Sequence, residues 1–347
     1  MLPLRDGGIL FVYTHYRGGT DADDAGADLF AMRSDDGGES FQPIGTVLDH
    51  RSVGAMNTMS VSLLRMRDMS IGLFFLLRRS GTDLRMHLMR SYDEGLTWSA
   101  PVCCMPLAGY YVVDNDRVIQ LASGRIIIPA AQHESTLSEG GTVHFDSRSR
   151  AVFFFSDDDG VSWRRSPGYV ALPVFRACAS GLQEPGLLEL RPGLLWCWCR
   201  TDLGRQYQAF SFDDGMTWTS PEPSAFTSPL APMSVKELPD GRLLAVWDPV
   251  PLYNGRSERV GELWTGGRTP LACAFVDRST LSPGPLLLLE TDPDSGFCYT
   301  SILSTGNSVL LSYCAGTQGD RLCLDRLRVR KIGYEELDRD GHQDRIG

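Results

Sequence analysis

Side chains able to do chemistry recur at the ends of apolar segments in this sequence. Guanidinium groups stand at Arg17, Arg200 and Arg268, carboxyls at Asp21, Asp23, Asp24, Asp116 and Glu184. A phenol, an imidazole and an amide stand at Tyr299, His133 and Asn57. Arginines hold anions, carboxyls and imidazoles move protons, and a phenol with an ordinary pKa of about 10 needs a base to act as a nucleophile. Each has a plainer use on its own. Tyr299 reads as a strand residue with a satisfied hydroxyl, Glu184 as a turn residue before Pro185, and Arg200 and Arg268 as surface ion-pair partners. His133 reads as a strand-end or pocket-lining histidine. Only a fold that gathers these groups gives them a joint role.

The elements that would gather them repeat along the chain. A small-residue turn followed by a short apolar strand occurs six times, starting at Gly7, Met69, Gly124, Gly193, Gly241 and Asn307. The spacing is roughly 60 residues. Between these copies runs Ser-x-Asp-x-Gly-x-(Ser/Thr)-aromatic: Ser34 to Phe41, Ser91 to Trp98, Ser156 to Trp163 and Ser211 to Trp218. The physical role of this Asp-box is a turn, with Asp and Ser capping amides, Gly taking positive φ, and the aromatic packing under the hairpin. Its aspartates therefore have no catalytic claim. Near Phe275-Val276-Asp277 only a relic of the motif remains, and the last repeat lacks it.

A unit of about 60 residues with four short strands is a propeller blade, so the expected fold is all-β, a six-bladed β-propeller with Asp-box hairpins. It would fill residues 1–333 as a single domain, leaving 334–347 as a polar, disordered C-terminal tail. If the strands of a blade are A to D outward, the start of A, the end of B and the entry to C share one edge. The reactive residues collect there. Starts of A give Asn57, Asn115, Asp116, Glu184 and Tyr299; ends of B give Arg17, Gln132, His133 and Arg200; entries to C give Asp21, Asp23, Asp24 and Arg268. Such a convergence at one channel mouth is a ligand pocket.

Bulk properties narrow the function. The chain has 347 residues, 42% of them apolar, and a net charge of −10, which argues against a nucleic-acid partner. Nine cysteines lack metal-binding spacing and read as small core residues of a reducing compartment. No metal or other cofactor is expected: Asp21-x-Asp23-Asp24-x-Gly26 is a faint calcium-loop pattern, but Met32 stands where the bidentate Glu belongs. Neither a signal-peptide pattern nor a membrane-spanning apolar run is present, so a cytoplasmic location is expected; secretion or a periplasmic place stays open if residues precede Met1.

The Asp-boxes, the strand from Glu184-Pro185-Gly186 to Leu190, the Trp198-Cys199-Arg200 strand end, Gly267-Arg268 and Cys298-Tyr299-Thr300-Ser301 together resemble the exo-α-sialidases (neuraminidases), an Asp-box (BNR) repeat family. The resemblance spans nearly the whole chain. It implies a retaining glycosidase that removes terminal sialic acid or a related acidic sugar from a sialoglycoconjugate. In that family a carboxylate on the anomeric carbon repels an anionic nucleophile, and a tyrosine activated by a glutamate serves instead. By resemblance Tyr299 is the nucleophile and Glu184 its base. Arg200 and Arg268 are members of the arginine cluster that grips the substrate carboxylate, with Arg17 beside them. The general acid falls on the loop after Arg17, at Asp24, with Asp23 and Asp21 as rivals. Asn57, Asp116 and His133 are further candidate substrate contacts.

The pattern departs from the family at the first strand. Met1-Leu2-Pro3-Leu4 is too short to span a blade, and the first cluster arginine has no counterpart, since Arg5 lies at the wrong end. That gap keeps two other readings open: a non-catalytic glycan-binding propeller, and a propeller glycosidase or lyase acting on another sugar such as a uronate.

Overall fold

A computed structural model of the chain describes residues 1–17, 25–252 and 257–340. The candidates Asp21, Asp23 and Asp24 lie outside the described residues. The fold is all-β with almost no helix: 26 strands, one 3-10 turn at His50–Val53 and one short α-helix at Tyr334–Asp340 among the described residues. All six apolar repeats are strands, Ile9–Tyr16, Ile71–Ser80, Ile126–Leu137, Leu194–Arg200, Leu243–Trp247 and Ser308–Gly316. They form strands because β-branched and aromatic residues are concentrated between turn residues, and they carry large fully buried side chains such as Leu10, Phe74, Phe75, Trp196, Trp198 and Tyr313.

The chain divides into two compact units. The first comprises residues 1–172, 180–195 and 210–219, and the second 173–179, 196–209 and 220–347. In the first, Leu2–Pro3, Ile9–Tyr16, Ala27–Ser34 and Gln42–Leu48 form a four-stranded sheet in chain order. The first strand has only two residues, paired as Leu2 with Leu10 and Pro3 with Ile9. The next two strand sets join into one nine-stranded sheet, where four-stranded sets were expected. The cause is local: one parallel pairing of Leu84 with Tyr110 links them. The hairpin of Ile126–Leu137 and Val143–Ser156 also extends well beyond a blade strand of five or six residues. Two apolar clusters fill this unit, one around Phe74, Met86, Tyr111 and Phe154, the other around Leu10, Leu29, Leu73 and Phe75.

In the second unit, Ser234–Glu237, Leu243–Trp247, Leu271–Val276 and Leu287–Glu290 pair in that order. Gly296–Thr305, Ser308–Gly316 and Leu327–Gly333 form a three-stranded sheet. Their shared core includes Val246, Phe297, Leu311 and Tyr313. The expectation of a disordered tail from Tyr334 is corrected here: Tyr334–Asp340 is helical. Leu337 is buried in the core, and the Tyr334 hydroxyl lies 2.6 Å from Ser304 Oγ. An apolar anchor on an otherwise polar segment was enough to order it.

All four Asp-boxes have one geometry. The serine hydroxyl donates to the aspartate at 2.8 Å in each. The same oxygen accepts the glycine N–H at 2.7 or 2.8 Å. Hydrogen bonds from Thr97 and Ser162 hold Asp93 and Asp158 down at about 2. The aromatic residues reach beyond their own hairpins. Trp163 packs edge-on against Phe74 at 6.0 Å, and Trp218 stacks on Phe153 at 4.1 Å. The motif thus clamps neighbouring strand sets together within the first unit.

Candidate active site

Four residues at inner-strand starts share a backbone conformation that side-chain-bearing residues rarely adopt. Ser60, Asp116, Glu184 and Tyr299 have φ of 57°, 60°, 46° and 60°. Ser60 and Tyr299 sit where the pairing register shifts, between Met59 and Ser62 and between Cys298 and Ser301. A bulge re-aims a side chain out of the strand's alternation, and left-handed backbone at a bulky residue costs about 1–3 kcal/mol. Three of these four residues belong to the sequence-derived candidates. Ser60 was missed, because a bulge leaves no mark in residue type.

In the second unit, Tyr299 is met by two arginines. Arg200, at the end of Leu194–Arg200, donates from Nη1 to the Tyr299 hydroxyl at 3.3 Å. The Arg268 guanidinium lies 5.5 Å from the Tyr299 ring centre and 4.9 Å from that of Trp264. Arg268 is buried, donating from Nη2 to the Leu230 carbonyl at 3.2 Å and from Nη1 to Cys298 Sγ at 3.1 Å. This fixes a second positive charge beside the phenol. Asp248, buried at the end of Leu243–Trp247, also belongs to this unit. Its position at the end of an apolar repeat, like that of Arg200, is the signal that could have found it.

In the first unit, Glu184 is buried within Gln183–Arg191. Asp114 is buried too, and pairs with the equally buried Arg117 at 2.9 Å. Burial raises the Asp114 carboxyl, Arg117 opposes the shift, and the negative charge of Glu184 adds to it, leaving Asp114 at about 7. The Asp-Asn-Asp-Arg run, with carboxyl and guanidinium three residues apart, was the available signal for this pair. Asp116 donates its backbone N–H to the Val61 carbonyl at 2.9 Å. Asn57 is buried and donates from Nδ2 to the Ala25 carbonyl at 3.2 Å.

Arg17 forms an ion pair with the buried Asp28. Asp28 Oδ1 also accepts the His50 backbone N–H at 2.9 Å and lies 2.7 Å from His50 Nδ1. Burial alone would raise Asp28, but the His50 hydrogen bonds and the Arg17 charge leave it below the usual carboxylate value. Ligand atoms of Asp28, Asp49 and His50 lie within 4.8 Å of one another. The Arg17 guanidinium already occupies the charge that a cation there would need.

His133 is packed into the long hairpin. Its ring stacks on Phe145 at 4.8 Å, and Nδ1 lies 3.1 Å from the Asp146 carbonyl. Arg5 lies beside an Asp-box residue, its backbone N–H donating to Glu94 Oε2 at 3.0 Å and its Nη2 to the Met69 carbonyl at 2.8 Å. It is therefore engaged at the turn edge.

Comparison with known proteins follows the same lines. Mouse Sialidase-4 is 31% identical over 143 residues, which span 39% of this chain and 28% of that protein. The NanB sialidase of Streptococcus pneumoniae superposes with a TM-score of 0.68 at 13% identity, covering 97% of this chain and 68% of that one. The intramolecular trans-sialidase of Ruminococcus gnavus, solved with oseltamivir carboxylate, gives a TM-score of 0.68 at 16% identity, covering 97% and 94%. The all-β fold is thus similar to that of sialidase β-propeller structures. No helix among the described residues is long and apolar enough to cross a membrane. The model of the BNR repeat-like domain matches residues 13–311, and the chain belongs to that family.

Proposed function

We propose that this protein is a retaining exo-glycosidase of the sialidase type, built as a six-bladed propeller over residues 1–333. It cleaves terminal sialic acid or a related acidic sugar from a glycan. The observation that carries the reading is the pair of arginines on one phenol, Arg200 donating to Tyr299 at 3.3 Å and Arg268 at 5.5 Å from its ring. Positive charge beside a tyrosine hydroxyl favours the phenolate, and a guanidinium fork suits a substrate carboxylate.

In this reading Tyr299 attacks the anomeric carbon and Glu184 takes the phenolic proton. Arg200 and Arg268 hold the carboxylate, with Arg17 beside them, and the covalent intermediate is released by water. The acid comes from Asp24, Asp23 or Asp21. Asn57 and Asp116 line the sugar. The left-handed backbone at Glu184 and Tyr299 supports their roles, because strain of this kind persists where a side chain must be aimed.

Release of a fluorophore from an α-linked aryl sialoside, abolished by Tyr299→Phe, tests the proposal. Undiminished turnover by the Tyr299→Phe protein overturns the assigned nucleophile. A wild-type protein that leaves sialosides intact but cleaves an aryl uronide overturns the substrate.

A further inference from the structure

Two pairs of buried thiols in the second unit have the same spacing but different surroundings. Cys197 and Cys199 alternate onto one face of Leu194–Arg200, and their sulfurs are 3.9 Å apart. Cys298 and Cys323 are far apart in sequence, and their sulfurs are also 3.9 Å apart. The second pair touches a buried positive charge. Arg268 Nη1 donates to Cys298 Sγ at 3.1 Å and lies 3.8 Å from Cys323 Sγ. Cys314, the cross-strand partner of Cys298, adds a third sulfur on this side.

The approach of Cys323 is built into the backbone. Gly296 and Gly316 face each other across the same strand pair. A Cβ at Gly296 would lie 2.6 Å from Cys323 Cβ, and one at Gly316 would lie 2.6 Å from Cys323 Cα. Two bare positions therefore let the 323 segment settle onto the strands. The segment is pinned there by the Cys323 N–H to the Trp264 carbonyl at 3.0 Å.

We propose that Cys298 and Cys323 form a redox-modification site, oxidised by hydrogen peroxide to a disulfide that removes the sulfur partner of Arg268. A thiolate is the reactive form, and a guanidinium stabilises it through a charge-assisted hydrogen bond. Burial disfavours the Cys298 thiolate, but hydrogen bonds from Cys314 and Cys323 and the Arg268 charge outweigh it, holding this thiol well below its ordinary value. Cys323 is pushed up by its bond to Cys298 and by burial, which leaves it protonated as the second thiol.

The chemistry balances in two steps. The Cys298 thiolate attacks one peroxide oxygen; an S–O bond forms, the O–O bond breaks, and hydroxide leaves and is protonated to water. Cys298 is then a sulfenic acid. The Cys323 sulfur attacks Cys298 Sγ, an S–S bond forms, the S–O bond breaks, and the hydroxyl leaves with the Cys323 proton as a second water. The site stands on its own; its effect on carboxylate binding rests on the proposed function.

The test treats the reduced full-length chain with hydrogen peroxide, quenches by alkylation and maps the peptides without reductant. The expected result is a crosslinked peptide holding Cys298 and Cys323, formed roughly tenfold faster than any oxidation at Cys197 or Cys199. In Cys323→Ser the Cys298 sulfenic acid persists and is captured by dimedone. Equal oxidation rates at the two pairs, or a crosslink of Cys298 to Cys314, would overturn the assignment. Calorimetry with free N-acetylneuraminate adds the functional arm: the reduced protein binds, and the oxidised one binds about tenfold more weakly. Equal binding by both forms refutes the coupling to Arg268. Absence of binding by the reduced form counts against the proposed substrate and leaves the disulfide result standing.

Discussion

The Asp-box turns and the inner-strand starts use the same unusual backbone for opposite ends. Glu94, Asp159 and Asp214 in the boxes have φ of 60°, 58° and 53°, close to the values at Asp116, Glu184 and Tyr299. In the boxes hydroxyl and backbone N–H groups of the same turn close on Asp93 and Asp158, which are driven down. At the strand starts the side chains are turned toward other charges, and Asp114 is driven up. Similar backbone conformations serve hairpin turns in one place and the candidate site residues in the other. What separates them is the box aspartate beside the strained residue, whose hydrogen bonds close within the turn.

The sharpest way to break this contrast is at Tyr299 and Glu184. Tyr299→Phe is expected to lower kcat/KM on an aryl sialoside by about a thousandfold or more, with unchanged circular dichroism. Glu184→Gln should lose about a hundredfold or more, with the acidic limb of the rate profile moving as the base is removed. Arg200→Lys keeps the charge and removes the fork, so KM should rise by about tenfold while kcat changes less. Steady-state kinetics separates these outcomes.

On the turn edge the expected effect is on stability alone. Ser156 is buried, donates to Asp158 and accepts from the Gly160 N–H, both at 2.8 Å. Ser156→Ala should lower unfolding free energy by about 1–3 kcal/mol in a denaturant titration and leave the kcat of the folded protein unchanged.

Carboxyl titration by NMR sharpens the same contrast. Asp93 and Asp158 should titrate at about 2, below their ordinary 3.8, so their stabilisation is present above pH 3.8 and lost as pH falls through 2. Asp114 has the opposite sign. Its folded value of about 7 lies above 3.8, so the fold weakens as pH rises from 3.8 to 7. The smallest change is expected at His133, held against Phe145 and the Asp146 carbonyl. His133→Gln should alter kcat/KM by less than about threefold.

The strands and turns were legible because their signals are local. Each apolar repeat and each Asp-box carries its pattern within about ten residues, and the structure makes every one of them a strand or a turn. The order of Tyr334–Asp340 was not legible, since it depends on Leu337 meeting a core assembled from distant segments. In the site, Arg200 and Tyr299 could be named from strand ends and motif order. For Asp114 the Asp-Asn-Asp-Arg run signals only the pairing with Arg117; its raised pKa comes from burial and from Glu184, 70 positions away, which residue type alone does not encode. Nor could the glycine pair that seats Cys323 beside Cys298 be read from spacing.

The central claim is that Tyr299 forms a covalent bond to the sugar. Incubation with a fluorinated sialosyl fluoride, which slows release of the intermediate, followed by peptide mass mapping, tests it directly. A sialosyl adduct on Tyr299, absent from Tyr299→Phe, is the predicted result. An adduct on Glu184 or on another residue, in a protein that turns over aryl sialosides, would contradict it.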